Sequence, residues 1–322
     1  MMAGRKVTII GIAGDSGAGK STFVAELKAL IGEERVTVIS IDDYHSLDRT
    51  ERSRVGITAL HPWKANNLGL LIEHVWALKA GRAIEKPIYD HSDGKIKGPE
   101  IVIPKDIVLL EGLHILYLEK LREALDLKIY FDTDTRLRVR WKVRRDAATR
   151  GYTEDEVLAE IERRKPDVER YIEPQKAFAD IVIKYFPDDA RAPSADDPEP
   201  IKVQIAERLN GNKRRLVKWL SLGSRFGLIE AVHYHDKIVG EDMEIADIGG
   251  HTPIESMTAL LEMISDNHHL KAKMNDTHYT PIKVTQYLIA SMIVELAYGR
   301  DVQRERLVAR QSGEDAPKAR AT

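Results

Sequence analysis

Eight residues near the amino terminus, Gly14-Asp15-Ser16-Gly17-Ala18-Gly19-Lys20-Ser21, follow the spacing G-x-x-x-x-G-K-[ST] that grips a polyphosphate. Glycines at these intervals let successive backbone N–H groups turn inward onto an anion, and a helix beginning near Lys20 adds the positive end of its dipole. Lys20 is then expected to reach the β- and γ-phosphates. The Ser21 hydroxyl is expected on a magnesium ion, and Thr22 completes the nucleotide-binding stretch. The nearest approach to a guanine-reading N-K-x-D is Asn212-Lys213-Arg214-Arg215, which lacks the aspartate, so ATP is the expected nucleotide.

Three other clusters carry chemistry. Ser40-Ile41-Asp42-Asp43-Tyr44-His45-Ser46-Leu47-Asp48-Arg49 places two carboxylates after an apolar run, with a histidine and an arginine just beyond. One of those aspartates could take a proton from an acceptor hydroxyl. Ile107-Val108-Leu109-Leu110-Glu111-Gly112 puts Glu111 at the end of another apolar run, where a second magnesium-side carboxylate belongs. Arg49, Arg52 and Arg54 near the candidate base suggest an acceptor that itself carries a phosphate, because guanidinium forks grip phosphate oxygens bidentately. The spacing alone leaves blander readings open: Asp42-Asp43 as a turn pair, His45 as a core or surface imidazole, the arginines as a solvated face. Arg136 to Arg150 is arginine-dense, and Lys142, Arg145, Asp146 and Arg150 fall largely on one helical face. That face is either solvated or part of a cationic lid over a phosphoryl-transfer site.

The elements that must position these groups are legible around them. Val7 to Ala13 and Val36 to Ile41 read as strands either side of a helix from Lys20 to Ile31, a βαβ opening. Asn67 to Lys79 reads as a helix, Ile84 to Ile103 as short strands around the turn Asp93-Gly94, and Ile107 to Leu110 as a buried strand closed by Gly112. Leu127 to Phe131 is a further strand, and Thr135 to Thr149 a helix closing at Gly151. Thr153 and Glu156 form a capping box for the next helix. Ala179 to Tyr185 is expected as the last core strand. Phe186 to Pro200, with four prolines and five acidic residues, reads as a linker or surface crossing. Beyond it come a hairpin-like alternation (Leu228 to Val239), a helical repeat of apolar residues from Ile254 to Ile264, a closing helix (Ile282 to Tyr298), and a polar tail from Gln311 expected to be disordered. The expected fold class is α/β: a P-loop NTPase-type, mainly parallel sheet flanked by helices in a kinase core (1–186). After the crossing (187–200) follow a C-terminal α+β extension packed on that core (201–302) and a tail (303–322).

Composition narrows the functions. The 322 residues are 43% hydrophobic with a formal charge of -2, so no long-range field favours nucleic acid or an anionic membrane, and neither partner is expected. No apolar run approaches the roughly 18 residues of a membrane span, and a cytoplasmic protein is the expectation. There is no cysteine, which excludes disulfides, thiolate metal sites and thiol nucleophiles in this chain.

The run Asp42 to Arg49, followed by Gly56-Ile57-Thr58-Ala59-Leu60, Ala65-Asn66-Asn67, Lys86-Pro87-Ile88-Tyr89-Asp90-His91 and Glu111-Gly112-Leu113-His114, resembles the phosphoribulokinases. Arg145-Asp146 with Arg150-Gly151, Arg164-Lys165-Pro166-Asp167 and Tyr171-Ile172-Glu173-Pro174-Gln175-Lys176 are similar to the same family. The resemblance is dense from about 7 to 186 and looser beyond Pro187. It implies ATP and ribulose 5-phosphate as substrates, Mg2+ as cofactor, ribulose 1,5-bisphosphate as a product feeding carbon fixation, and a homodimer. By the same resemblance Asp42 matches the general base, His45 and Arg49 the hold on the sugar phosphate, and Tyr89 and His91 the other wall of that pocket; Arg52, from the charge cluster, is a further substrate-binding candidate. Ser21, Glu111 and Asp42 match the metal side, while Lys142, Arg145, Asp146 and Arg150 match the lid; Asp43 is read as supporting. Ala18 stands where light-regulated members carry a cysteine, so thiol inactivation is not expected, and archaeal members are one match. Two competing readings are a nucleoside kinase of the uridine type and a nucleotide-binding protein without chemistry.

Overall fold

The computed structural model describes residues 7–194, 197–209, 216–264, 270 and 278–312; the side chains of 149, 150 and 300–312 fall outside that description. Strand β1 (Thr8–Gly14) is buried along its whole length, which is why it reads as an unbroken apolar run rather than an alternating one. Helix α1 (Lys20–Ile31) packs Phe23, Val24, Leu27 and Ile31 inward and ends at Gly32. It is followed by β2 (Val36–Ser40), a single 3-10 turn (Ile41–Tyr44), α2 (Arg49–Arg54) and α3 (Leu68–Lys79). Next come β3 (Ile84–Asp90), β4 (Lys95–Val102), β5 (Ile107–Gly112), α4 (Glu119–Ala124) and β6 (Leu127–Phe131). Helices α5 (Thr135–Arg150) and α6 (Glu154–Asp167) precede β7 (Ile181–Pro187), and the expected capping box of Thr153 and Glu156 opens the second of them.

The main sheet has eight strands. The remaining members are β8 (Ile201–Arg208), β9 (Ala231–Ile238) and β10 (Glu241–Ile248), in the order β2-β5-β1-β6-β7-β8-β10-β9. From β2 to β7 all neighbours are parallel; from β7 onward they are antiparallel. This corrects the expectation that Ala179 to Tyr185 would be the last core strand. Ile201, Val203 and Ile205 on β8 are buried beside Ile181 and Ile183, so hydrogen bonding and apolar burial continue across the proline-rich crossing. Helix α7 (Leu216–Arg225), the two-residue strands β11 (Thr252–Pro253) and β12 (His278–Tyr279), α8 (Ile254–Ile264) and α9 (Pro281–Ser312) complete the chain, and α9 runs past the expected end at Tyr298. Asn212 to Arg215 and the tail from 313 lie outside the described residues.

The topology decides where chemistry can occur. Chain order puts β1 in the interior of the parallel half, and the carboxyl ends of β1, β2 and β5 meet in register: Ser40 lies opposite Glu111, and Ala13 opposite Gly112. Open α/β sheets bind ligands at such carboxyl ends, where strand order reverses. Gly112 has φ of 151°, and a Cβ there would come within 2.1 Å of Ile41 Cγ1, so glycine lets the end of β5 lie against the turn carrying Asp42.

Candidate active site

The phosphate side is built by the loop between β1 and α1. Gly17 and Gly19 have φ of 83° and 91°, the left-handed backbone that an anion nest requires. Lys20 is folded back over the loop, its Nζ donating to the carbonyl of Asp15 at 2.8 Å. Ser21 Oγ lies 3.0 Å from each carboxylate oxygen of Glu111, so the predicted hydroxyl and the predicted carboxylate share one locus. Burial pushes the Lys20 ammonium below its usual value, against the pull of Glu111, Asp15 and Asp42. Burial likewise raises the Glu111 carboxyl, opposed by the charge of Lys20. Both groups gain from counter-charge, which a nucleotide phosphate and a divalent cation would provide.

The facing side of the cleft, the candidate acceptor wall, is built by the turn after β2 and the hairpin of β3 and β4. Ser40 caps the turn, its Oγ accepting from the amide of Asp42 at 3.3 Å, and the Asp42 carboxylate stands 3.6 Å from His91 Nε2. His45 is 6% exposed and lies 2.7 Å from Asn66 Oδ1 through its Nδ1. The Asn66 amide nitrogen donates to the carbonyls of Ala59 and His61, both at 3.0 Å, which orients its oxygen as acceptor and makes His45 Nδ1 the donor. Burial lowers the His45 pKa, with Asp42 opposing, so a neutral ring fits these bonds. The Tyr89 ring meets those of His45 and His91 edge-on, at 4.7 and 5.0 Å between centroids.

The arginines of this side divide. Arg49 donates to the carbonyl of His91 at 2.6 Å and lines the cleft. Arg52 is buried and donates to Leu47 O at 2.5 Å and Tyr89 Oη at 2.9 Å, so part of its work is to hold the wall rather than to meet a ligand. Arg54, grouped with them by sequence, is exposed and is not among the residues that line the cleft.

Helices α5 and α6 form the roof. Asp146, 1% exposed, accepts from Lys142 Nζ at 2.6 Å and from Arg145 Nε at 2.9 Å, and Arg145 also donates to Ser16 Oγ at 3.2 Å. Burial lowers the Lys142 pKa, with the hydrogen bond to Asp146 opposing. Arg150 ends α5, and its side chain is outside the described part. Two arginines that sequence reasoning assigned no role reach the phosphate loop: Arg138 donates to Asp15 Oδ2 at 2.6 Å, and Arg164 NH2 stands 3.5 Å from Asp15 Oδ1. The signal for Arg164 was its place in the Arg-Lys-Pro-Asp run; Arg138 is marked by nothing in an arginine-dense helix. Arg136, from the same run, points instead to Asp134 and Asp189.

These parts enclose one cleft of about 1010 Å3, lined by Ser16 to Thr22 on one side, Asp42, His45, Arg49, Arg52, Tyr89 and His91 on another, and Glu111, Lys142, Arg145 and Asp146 between. Gly14, Asp15 and Asp43 are not among the lining residues. Among the described residues no group of three or more His, Asp or Glu could cage a metal. Magnesium needs none: it takes one or two protein oxygens and completes its shell with phosphates and water. No described helix is long and apolar enough to cross a membrane.

Under the acceptor loop, His114 is fully buried and its Nε2 donates to the carbonyl of Leu60 at 2.8 Å. Burial lowers its pKa from 6.5 to about 4. Because the folded value lies below the unfolded one, the unfolded chain takes up the proton first, and stability present above pH 6.5 is lost as pH falls toward 4. About 3 kcal/mol of acid sensitivity is expected from this residue. Urea unfolding at pH 7 and pH 4.5 should show it, and His114→Gln should flatten that difference; an unchanged slope would remove His114 as its source.

The sequence profile described as the Phosphoribulokinase / Uridine kinase family matches residues 9–192, more than half of the chain. The chain belongs to that family. Among individual phosphoribulokinase/uridine kinase relatives, it is 51% identical over 182 residues to a phosphoribulokinase of Synechocystis sp., a match covering 56% of this chain and 54% of the relative. It is 36% identical over 185 residues to a uridine kinase of Halalkalibacterium halodurans, covering 56% of this chain and 87% of that one. The chain thus spans about half the length of the phosphoribulokinase relatives it matches in sequence. In three dimensions, a phosphoribulokinase from Rhodobacter spheroides superposes with a TM-score of 0.58 at 18% identity, covering 91% of this chain and 99% of that one; this likeness concerns the fold, including the family core and the strands beyond it.

Proposed function

We propose that the protein transfers the γ-phosphoryl group of ATP to the O1 hydroxyl of ribulose 5-phosphate. The observation that carries this is the pairing, across one cleft, of a phosphate loop with an acceptor wall of Asp42, His45, Arg49, Tyr89 and His91. That wall offers a carboxylate for a hydroxyl proton and cationic or imidazole donors for a phosphate, where a nucleoside base would call for stacking faces and amide contacts. The higher identity to a phosphoribulokinase than to a uridine kinase supports the same choice.

In this reading Asp42 accepts the O1 proton as that oxygen attacks in line. Lys20, Lys142 and Arg145 face the charge that spreads over the transferred phosphoryl, and Asp146 holds the latter two in place. Arg49 and His91, with buried His45 and Arg52 behind them, receive the 5-phosphate end. Ser21 and Glu111 form a hard-oxygen pair suited to Mg2+, and Asp42 faces the same space. Bound there, magnesium would supply positive charge that neutralises part of the charge on the nucleotide phosphates. A cytoplasmic homodimer belongs to the same proposal.

The test is ADP release from Mg-ATP with ribulose 5-phosphate, uridine, pantothenate or no acceptor. Ribulose 5-phosphate is expected to stand out; a larger kcat/KM with uridine would overturn the acceptor assignment and leave the phosphate-loop reading intact. Glu111→Gln is expected to raise the magnesium concentration needed for half-maximal rate by about tenfold or more, with partial recovery at high magnesium. A magnesium titration of rate checks it, and an unshifted curve would take Glu111 off the metal side.

A further inference from the structure

We propose that Lys86 is a positioning residue for the acceptor: its buried ammonium ties the β3–β4 hairpin to the turn bearing Asp42 and so sets the span between base and acceptor wall. The inference rests on the acceptor reading above and adds a residue to it. Lys86 is 5% exposed on β3, and its Nζ donates to Asp43 Oδ2 at 2.7 Å and to Glu100 Oε1 on β4 at 2.5 Å. Asp43 Oδ1 accepts from the amide of Tyr89 at 2.9 Å. One carboxylate therefore holds the hairpin on both sides of Pro87, where the register with β4 shifts between Lys86 and Ile88.

The arrangement has a mechanical reason. β3 and β4 form a separate two-stranded sheet outside the main one, and β4 is exposed along nearly all its length. A lone hairpin is marginally stable in water, so its place depends on what ties it down. Tyr89 and His91, the far wall of the acceptor pocket, ride on this hairpin and its turn, whereas Asp42 rides on the main sheet through β2. Asp43 is covalently next to Asp42, so the Lys86 link joins the hairpin directly to the turn that carries the base. A second tie, Arg49 to the carbonyls of His91 and Gly94 through its side chain and amide, lies at the far end of the hairpin. Nothing in this link touches the phosphate loop.

The experiment is steady-state kinetics on Lys86→Met, Asp43→Asn and the double variant, each with whichever acceptor the wild-type protein uses in the panel above, so that a wrong acceptor and a wrong role for Lys86 are told apart. Lys86→Met is expected to raise the acceptor KM and lower kcat so that acceptor kcat/KM falls 10- to 100-fold, the scale of an ångström-sized misplacement, while the KM for ATP stays within about twofold. The double variant is expected to be no worse than Lys86→Met, because both changes break one link. A parallel rise in both KM values, single effects that multiply, or an unchanged acceptor kcat/KM would each overturn the proposal. Should Lys86→Met fail to fold, Asp43→Asn, which still accepts the Tyr89 amide, carries the same expectation of an acceptor-only defect.

Discussion

Asp42→Asn is expected to lower kcat by about 10³-fold, within the range that a positioned proton acceptor contributes. Asparagine keeps the size of the side chain and its turn, whose cap runs from Ser40 Oγ to the backbone amide. What it removes is the carboxylate basicity and the charge 3.6 Å from His91. The same charge bears on Lys20 and His45, so small changes in substrate KM are expected beside the large change in kcat. Nucleotide-induced thermal stabilisation should persist, since the phosphate loop is intact. A kcat within about tenfold of wild type would remove Asp42 as the base and move attention to a solvent-borne proton acceptor.

Lys20→Met carries the second largest expectation, a fall of about 10²- to 10³-fold in kcat/KM for ATP, the scale of losing one preorganised donor at a centre of developing charge. Methionine fills the buried space of the lysine stem, so the loop should keep its shape. The loop's own geometry supports this: the left-handed glycines and the bond from the amide of Ala18 to Asp15 O form without the ammonium. Since burial already depresses the Lys20 pKa, removing its charge is not expected to destabilise the free protein, and thermal unfolding without ligand should be close to wild type. Unimpaired turnover with ATP would show that the roof cations Lys142 and Arg145 alone carry the phosphoryl charge.

The candidate carboxylates of the cleft were legible because each sits where a strand ends. Asp42 and Glu111 follow apolar runs, and parallel strands of one sheet end on the same side, so two carboxylates far apart in sequence were expected to converge with the phosphate loop. The register sets Ser40 opposite Glu111, and the charges of Glu111 and Asp42 both act on Lys20 of the loop. Tyr89 and His91 are different: they lie on a hairpin outside the main sheet, which no periodicity directs toward β2, and their place was expected only from the family resemblance. The arginines divide for a related reason. Arg49, Arg52 and Arg54 occupy one short helix: Arg49 and Arg52, three residues apart, share the cleft-lining face, and the further two-residue step to Arg54 turns the side chain to solvent. In α5 the same rule sends Arg138 to Asp15 and Arg136 to Asp189, a choice that an arginine-dense sequence leaves unmarked.

The sequence by itself determined the phosphate loop, the βαβ frame behind it, the strand-end carboxylates and the absence of any thiol chemistry, because these follow from local spacing and residue type. Tertiary structure decided the rest. It joined β8, β10 and β9 to the same sheet across a proline-rich crossing, since backbone pairing is satisfied between strands regardless of the composition of what connects them. It also brought Asp15 between two roof arginines, and tied Lys86 to Asp43 and Glu100. Buried charges are stable only when they meet a partner, and which partner they meet is set by how separate elements dock, a relation that no spacing along the chain records.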